Sequence, residues 1–193
     1  MAVVSIKNKL RRGNLLVGND AYNPTDFESI ATVTVGSGGA ANVEFTSIPG
    51  TYTHLQIRAL TRETSGSFPG FSYLQVNSNT GNNYSQHALY GNGSSAAAGA
   101  TSTTSIIYSG PVGGTTASTF GGMVIDILDY ANTNKYKTLR GLSGADNNSS
   151  GEIRVWSGLW QSTNAITSIK FFGNNGNWQQ YTHFALYGIK VAS

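Results

Sequence analysis

Three histidines, His54, His87 and His183, sit in or beside short echoes in the chain: YTH at 52–54 and again at 181–183, and ALYG at 88–91 and again inside YTHFALYGIKV (181–191). Three imidazoles could ligate a zinc ion, but no two of them stand at a close ligand spacing such as i, i+2 on one strand. The acids nearest to them in sequence, Glu44 and Glu63, fall at no suggestive offset. A histidine beside a tyrosine on a strand reads as a packed or edge residue, so no metal ligand is assigned.

Other chemistries find equally little footing. Glycan hydrolysis needs two carboxylates roughly 5–10 Å apart. Asp126 and Asp129 lie three apart across an expected strand end, and on a regular strand they would point to opposite faces. No GxSxG elbow marks a nucleophilic serine. The glycine-rich GSGGA and GPVGG stretches lack both the lysine and the strand–helix setting of a phosphate loop. The chain has no cysteine, which removes disulfide, thiol and thiolate–metal chemistry. The expectation is a non-enzymatic protein with no catalytic residue, no cofactor and no metal.

The tryptophans carry more information. Trp178 lies in a polar loop with Asn175 and Asn177, and a tryptophan face with amide neighbours is a plausible platform for a sugar ring. These three residues are the candidate glycan contacts. Trp156 and Trp160 are separated by an even number, which puts both on one strand face, and they read as core.

The elements that must position these residues are strands. Period-2 alternation recurs at 27–35, 41–48, 52–61, 71–77, 84–91, 104–110, 120–130, 136–144, 151–160, 166–173 and 181–191. Turn-forming segments such as NSNTGNN, GNGSS and ADNNSSG separate them. Many short strands at this spacing predict an antiparallel β-sandwich or barrel. In 52–60, Thr53, Leu55, Ile57 and Ala59 share the face that reads as core. Val124 and Ile127 differ in parity, so the strand over 120–130 reads as central and as buried on both sides or covered by a loop. Helical signal is weak: only 5–12 and the Ala-rich 96–100 could hold a turn of helix, and Gly99 undermines the second. The YTH echo is too short for a tandem repeat; two strands sharing an environment in one sheet would produce it.

Charged residues make up only 11% of the chain, against about 25% in an average soluble domain. The surface must therefore be coated with neutral polar groups, which suits a durable or carbohydrate-facing exterior. The net charge of +3 is asymmetric: residues 1–12 hold Lys7, Lys9, Arg11 and Arg12 with no acid, and the rest of the chain is nearly neutral. Val4, Ile6, Leu10, Leu15 and Leu16 interleave with these cations. A basic arm can bind nucleic acid, but the apolar residues favour docking on a protein, so no specific nucleic-acid partner is expected. No signal-peptide pattern and no apolar run of membrane-spanning length is present.

The run FESIATVTVGSGGAANVEFTSIPGTYTHLQIRALTR (27–62) resembles a recurring opening in structural proteins of tailed bacteriophages, including those that infect cyanobacteria. LLVGNDAY, NYSQHALYGNGS and the closing WQSTNAITSIKFFGNNGNWQQYTHFALYGIKV share the resemblance, which spans most of the chain from residue 15. It implies an all-β, jelly-roll-like antiparallel β-sandwich with an extended N-terminal arm, exposed on a virion and made in the host cytoplasm without secretion. Residues 1–26 are then the anchoring arm and 27–193 a single sandwich domain. The arm, through Val4, Ile6, Lys7, Lys9, Leu10, Arg11, Arg12, Leu15 and Leu16, would dock on other virion proteins. The leading expectation is a tail-fibre or baseplate-associated attachment protein, homo-oligomeric with a trimer as first choice. The alternatives are a decoration protein bound to the major capsid protein, and a lectin-like module bound to a host surface glycan.

Overall fold

A computed structural model describes residues 26–65, 68–114 and 116–191. Twelve strands occupy them: β1 (Phe27–Thr34), β2 (Asn42–Phe45), β3 (His54–Thr61), β4 (Gly70–Val76), β5 (Tyr84–Gly91), β6 (Ala96–Thr104), β7 (Ile107–Val112), β8 (Gly121–Leu128), β9 (Lys137–Asp146), β10 (Gly151–Trp160), β11 (Ile169–Gly173) and β12 (His183–Ile189). The arm residues Val4, Ile6, Lys7, Lys9, Leu10, Arg11, Arg12, Leu15 and Leu16 lie outside the described residues.

The strands form two antiparallel sheets. The larger runs β1-β12-β3-β8-β9-β10-β5-β6 and the smaller β2-β11-β4-β7. Setting aside β5–β6 and β9–β10 leaves eight strands in the orders β1-β12-β3-β8 and β2-β11-β4-β7. The chain crosses between sheets at every step of this core except β4 to β7, which pair with each other. This is the strand order of a jelly roll. The two excluded hairpins are insertions, one after β4 and one after β8. They meet where β5 pairs with β10 and extend the larger sheet beyond β8.

Local chemistry explains the second insertion. Asn147 Oδ1 accepts from the N–H groups of Ser149 (3.1 Å) and Ser150 (2.8 Å), while Asn148 takes φ 67°. An Asx turn with a left-handed residue is what NNSS supplies. It fixes the β9–β10 register from Gly151↔Asp146 to Trp160↔Lys137.

The core lies between the sheets. Leu55, Ile57, Ile125, Ile127 and Leu139 of the larger sheet face Leu74, Val76, Ile107, Ile169 and Phe171 of the smaller, and all are fully buried. Each such side chain contributes about 1.5–3 kcal/mol on burial. Trp156 and Trp160 are buried as their spacing predicts, and Leu55, Ile57 and Ala59 form the inner face of β3. The YTH echo has the structural basis expected of it: β3 and β12 are neighbours, with Ile189 opposite His54 and His183 opposite Leu60.

Two expectations are corrected. Ala96–Thr104 is a strand, although its Ala-rich start suggested a turn of helix. AAAGATSTT has small residues at both parities and lies at a sheet edge with both faces open, so no alternation marks it. The strand over 121–128 is central, between β3 and β8's other neighbour β9, but only one of its faces is buried. Met123, Ile125 and Ile127 point inward, and Val124 points out at 38% exposure.

Candidate functional site

The outer face of the larger sheet follows from register. Reading across the strands, Arg58, Val124, Leu142, Val155, Leu89 and Ala98 stand in one row. Its four central members are exposed at 38% (Val124), 50% (Leu142), 55% (Val155) and 61% (Leu89). The neighbouring row holds Leu60, Gly122, Gly144, Ile153, Gly91 and Ala96. Leu60 and Ile153 are 56% and 60% exposed. A contiguous aliphatic face of this kind on a soluble chain marks a contact surface more often than scattered exposed leucines do.

The second row also shapes a groove. Gly122 and Gly144 leave the floor open between Leu60 and Ile153, and a Cβ on Gly122 would meet nothing within 4 Å. The resulting hollow has a volume of about 1160 Å³, with Arg58 and His183 on one rim and Asp146 and Glu152 on the other. A shallower hollow of about 810 Å³ continues over β10, β5 and β6 beside Leu89, Ala98 and Val155.

A polar row borders the aliphatic one. Asp126 accepts from Gln56 Nε2 at 2.9 Å and from Arg140 Nε at 3.1 Å, and Arg58 Nε donates to Gln56 Oε1 at 3.0 Å. The Arg58 guanidinium also lies over the Phe27 and Tyr187 rings at 5.6 and 5.8 Å. Arg140 is largely in solvent, so its ion pair contributes at most about 1 kcal/mol. The network orients side chains along the edge of the face.

The histidines are dispersed. His183 Nδ1 lies 3.0 Å from Thr34 Oγ1 across the β1–β12 pair. His54 Nδ1 accepts from the Asp129 N–H at 3.0 Å, with the Asp129 carboxylate 3.5 Å away. Asp129 turns the chain at φ 48° and its carboxylate binds Lys135. That hydrogen bond, with the positive charge behind it, holds the Asp129 carboxyl below its ordinary range. The His54–Asp129 contact joins residues 75 apart in sequence, which is why spacing did not reveal it. With Nδ1 occupied as an acceptor, His54 carries its proton on Nε2. Asp126 and Asp129 do not converge. Among the described residues, no three His, Cys, Asp or Glu side chains gather into a metal-binding group.

Trp178 corrects the glycan reading. It is fully buried, its ring packs edge-on to Phe184 at 5.4 Å, and its Nε1 donates to the Phe171 carbonyl at 3.2 Å. The polar loop around it misled the sequence reading: backbone pairing with Ala40 draws the indole inward. Asn175 and Asn177 are exposed, but Trp178 offers them no ring face. Aromatic side chains do reach the outer face of the smaller sheet, where half-buried Phe71, Tyr73, Tyr108 and Phe172 pack on one another at 5.0–5.9 Å. Arg154 is clamped there between Tyr90 and Tyr108 at 4.3 and 4.2 Å and is paired with Glu152 at 3.0 Å.

The aliphatic face escaped the sequence reading, yet a signal existed. GEIRVWSGLW carries apolar residues at both parities, Ile153 and Val155 on one face and Trp156 and Trp160 on the other. Apolar residues on both faces of an antiparallel strand indicate a second buried surface. Comparison with family models, with curated proteins and with solved structures finds no match.

Proposed function

We propose that this chain is a non-enzymatic structural protein of a tailed-phage virion, a surface-exposed module held by its N-terminal arm. The observation that carries this reading is the aliphatic row Val124–Leu142–Val155–Leu89 on the outer face of a jelly roll widened by two insertions. An exposed aliphatic face with its charges at the rim is suited to protein contact, as the fully buried centre of a protein interface is depleted in charge. The resemblance to phage structural proteins supplies the setting. Within it, the leading assignment is a tail-fibre or baseplate-associated attachment protein that assembles as a homo-oligomer.

The same row supports a second reading, capsid decoration, because an aliphatic face fits a protein lattice better than a hydroxyl-rich glycan. The purified chain is incubated separately with host cells and with undecorated capsids. Binding to cells supports the attachment protein, and binding to capsids alone supports decoration. Binding to neither overturns the virion-surface proposal. Val155→Lys, which places a cation in the middle of the row, should weaken whichever association is found.

A further inference from the structure

Sheet edges expose unpaired N–H and C=O groups, and soluble proteins blunt them with short strands, charges, proline or bulges. Among the described residues, three of the four sheet edges are blunted. β1 carries Glu28 and a register shift between Ser29 and Ala31. β2 has four residues, one of them Glu44. β7 contains Pro111 and a register shift opposite Ser72 and Tyr73, and it packs against β9 and β10.

β6 has none of these protections over most of its length. Its nine residues, AAAGATSTT, include no charge and no proline, and all but the last are exposed. Its one irregularity lies at the far end, where the register shifts opposite Tyr84 and Gln86 and Thr103 takes φ 57°. The stretch from Ala96 to Thr101 pairs regularly with β5 and offers its other side to solvent.

We propose that β6 pairs antiparallel with β6 of a second copy of this chain, joining two larger sheets through a two-fold seam. Antiparallel self-pairing about an axis perpendicular to the sheet is closed by symmetry, so it yields a dimer and not a filament. About such a two-fold only the residue on the axis meets its own copy, and every other residue meets the one placed symmetrically across it. A strand with charges of one sign near its middle would face like charges there, whereas Ala, Gly, Ser and Thr meet without penalty. The axis is placed at Ala98, near the middle of the regular stretch and beside Leu89 in the exposed row. The aliphatic row of one chain therefore continues across the seam into the row of the other, doubling the face assigned to protein contact. The seam stands on strand geometry alone and does not depend on the virion assignment. It is two-fold, unlike the trimer expected from the sequence.

Sedimentation of the full chain over a concentration series tests the seam. The wild-type chain should reach the mass of two chains. Ala98→Lys and Ala98→Glu should each sediment as one chain under the same conditions, and an equimolar mixture of the two variants should recover the dimer. Thermal melting of each variant shows whether loss of the dimer is read on a folded chain; if either fails to fold, the double variants Ala96→Lys/Ala100→Lys and Ala96→Glu/Ala100→Glu, whose side chains meet across the axis, repeat the comparison. A wild-type chain that sediments as one chain or as three overturns the proposal. So does a dimer that survives both lysine and glutamate, or a mixture that does not recover it.

Discussion

Gly141 lies directly under the indole of Trp156: a Cβ added to Gly141 would sit 2.5 Å from Trp156 Cε2. The two residues face each other across β9 and β10, and the indole Nε1 donates to the Ser109 carbonyl at 3.0 Å in the smaller sheet. Trp156 thus joins the second insertion to the opposite sheet, and the glycine makes room for its ring. Gly141→Ala should destabilise the fold by about 1–3 kcal/mol through overpacking, seen as a lower urea midpoint with an unchanged slope.

Trp178→Ala should act on stability and not on sugar recognition. Removing a fully buried indole and orphaning the Phe171 carbonyl should cost about 3–5 kcal/mol. A variant that unfolds at the wild-type midpoint but loses glycan binding would restore the surface role.

Lys137, the first residue of β9, is fully buried beneath the β8–β9 connection, and its Nζ donates to three backbone carbonyls, of Asn132 (2.5 Å), Lys135 (2.8 Å) and Thr163 (3.1 Å). An ammonium here closes two loops at once. Lys137→Met keeps the stem and removes the donors, so it should cost about 1–3 kcal/mol from carbonyls that lose their shared donor. Chemical denaturation gives the value, and amide exchange should locate the loosening in 129–137 and 161–166.

Glu63 is fully buried between Gly70 and Gly173. Its Oε1 accepts the Phe71 N–H at 3.2 Å, and its Oε2 has no hydrogen-bond partner. Burial pushes its carboxyl above the ordinary value of 4.5, against backbone hydrogen bonds that lower it. The folded chain therefore holds this proton more tightly than the unfolded chain. Its contribution is complete below pH 4.5 and is lost as pH rises through the folded value. Glu63→Gln, which cannot ionise, should gain stability relative to wild type as pH increases over that interval. Parallel unfolding curves at several pH values check this; a difference that shrinks with rising pH would contradict it.

Gly122→Leu fills the groove between Leu60 and Ile153 without meeting a neighbour at its Cβ. Its effect on stability should stay within about 0.5 kcal/mol, while association through the outer face should fall. Unchanged association would place the contact elsewhere on the chain.

How much of this was legible in the sequence depends on what a residue contacts. Leu55, Ile57 and Ala59 alternate with polar neighbours because one face of β3 is core and the other is wet, so β3 was readable. Trp156 and Trp160 were readable by the same parity. β6 was not, because Ala, Gly, Ser and Thr on both faces leave no period to detect. Trp178 was misread because polarity of the surrounding loop says nothing about where backbone pairing aims a side chain. The aliphatic face needed register: Val124, Leu142, Val155 and Leu89 are spread over four strands, and only pairing puts them in line.

The two inserted hairpins depend on each other in one direction only. β9–β10 has its sheet partner in the core strand β8, whereas β5–β6 reaches the sheet solely through β10. A chain lacking 84–104 would still hold an unbroken sheet of six strands, but one lacking 137–160 would strand the other hairpin with no neighbour. In evolutionary terms, the permitted order of acquisition is the later hairpin first and the earlier one second. The hairpin nearer the N-terminus is the dispensable one, and removing it costs the sheet only its two outermost strands.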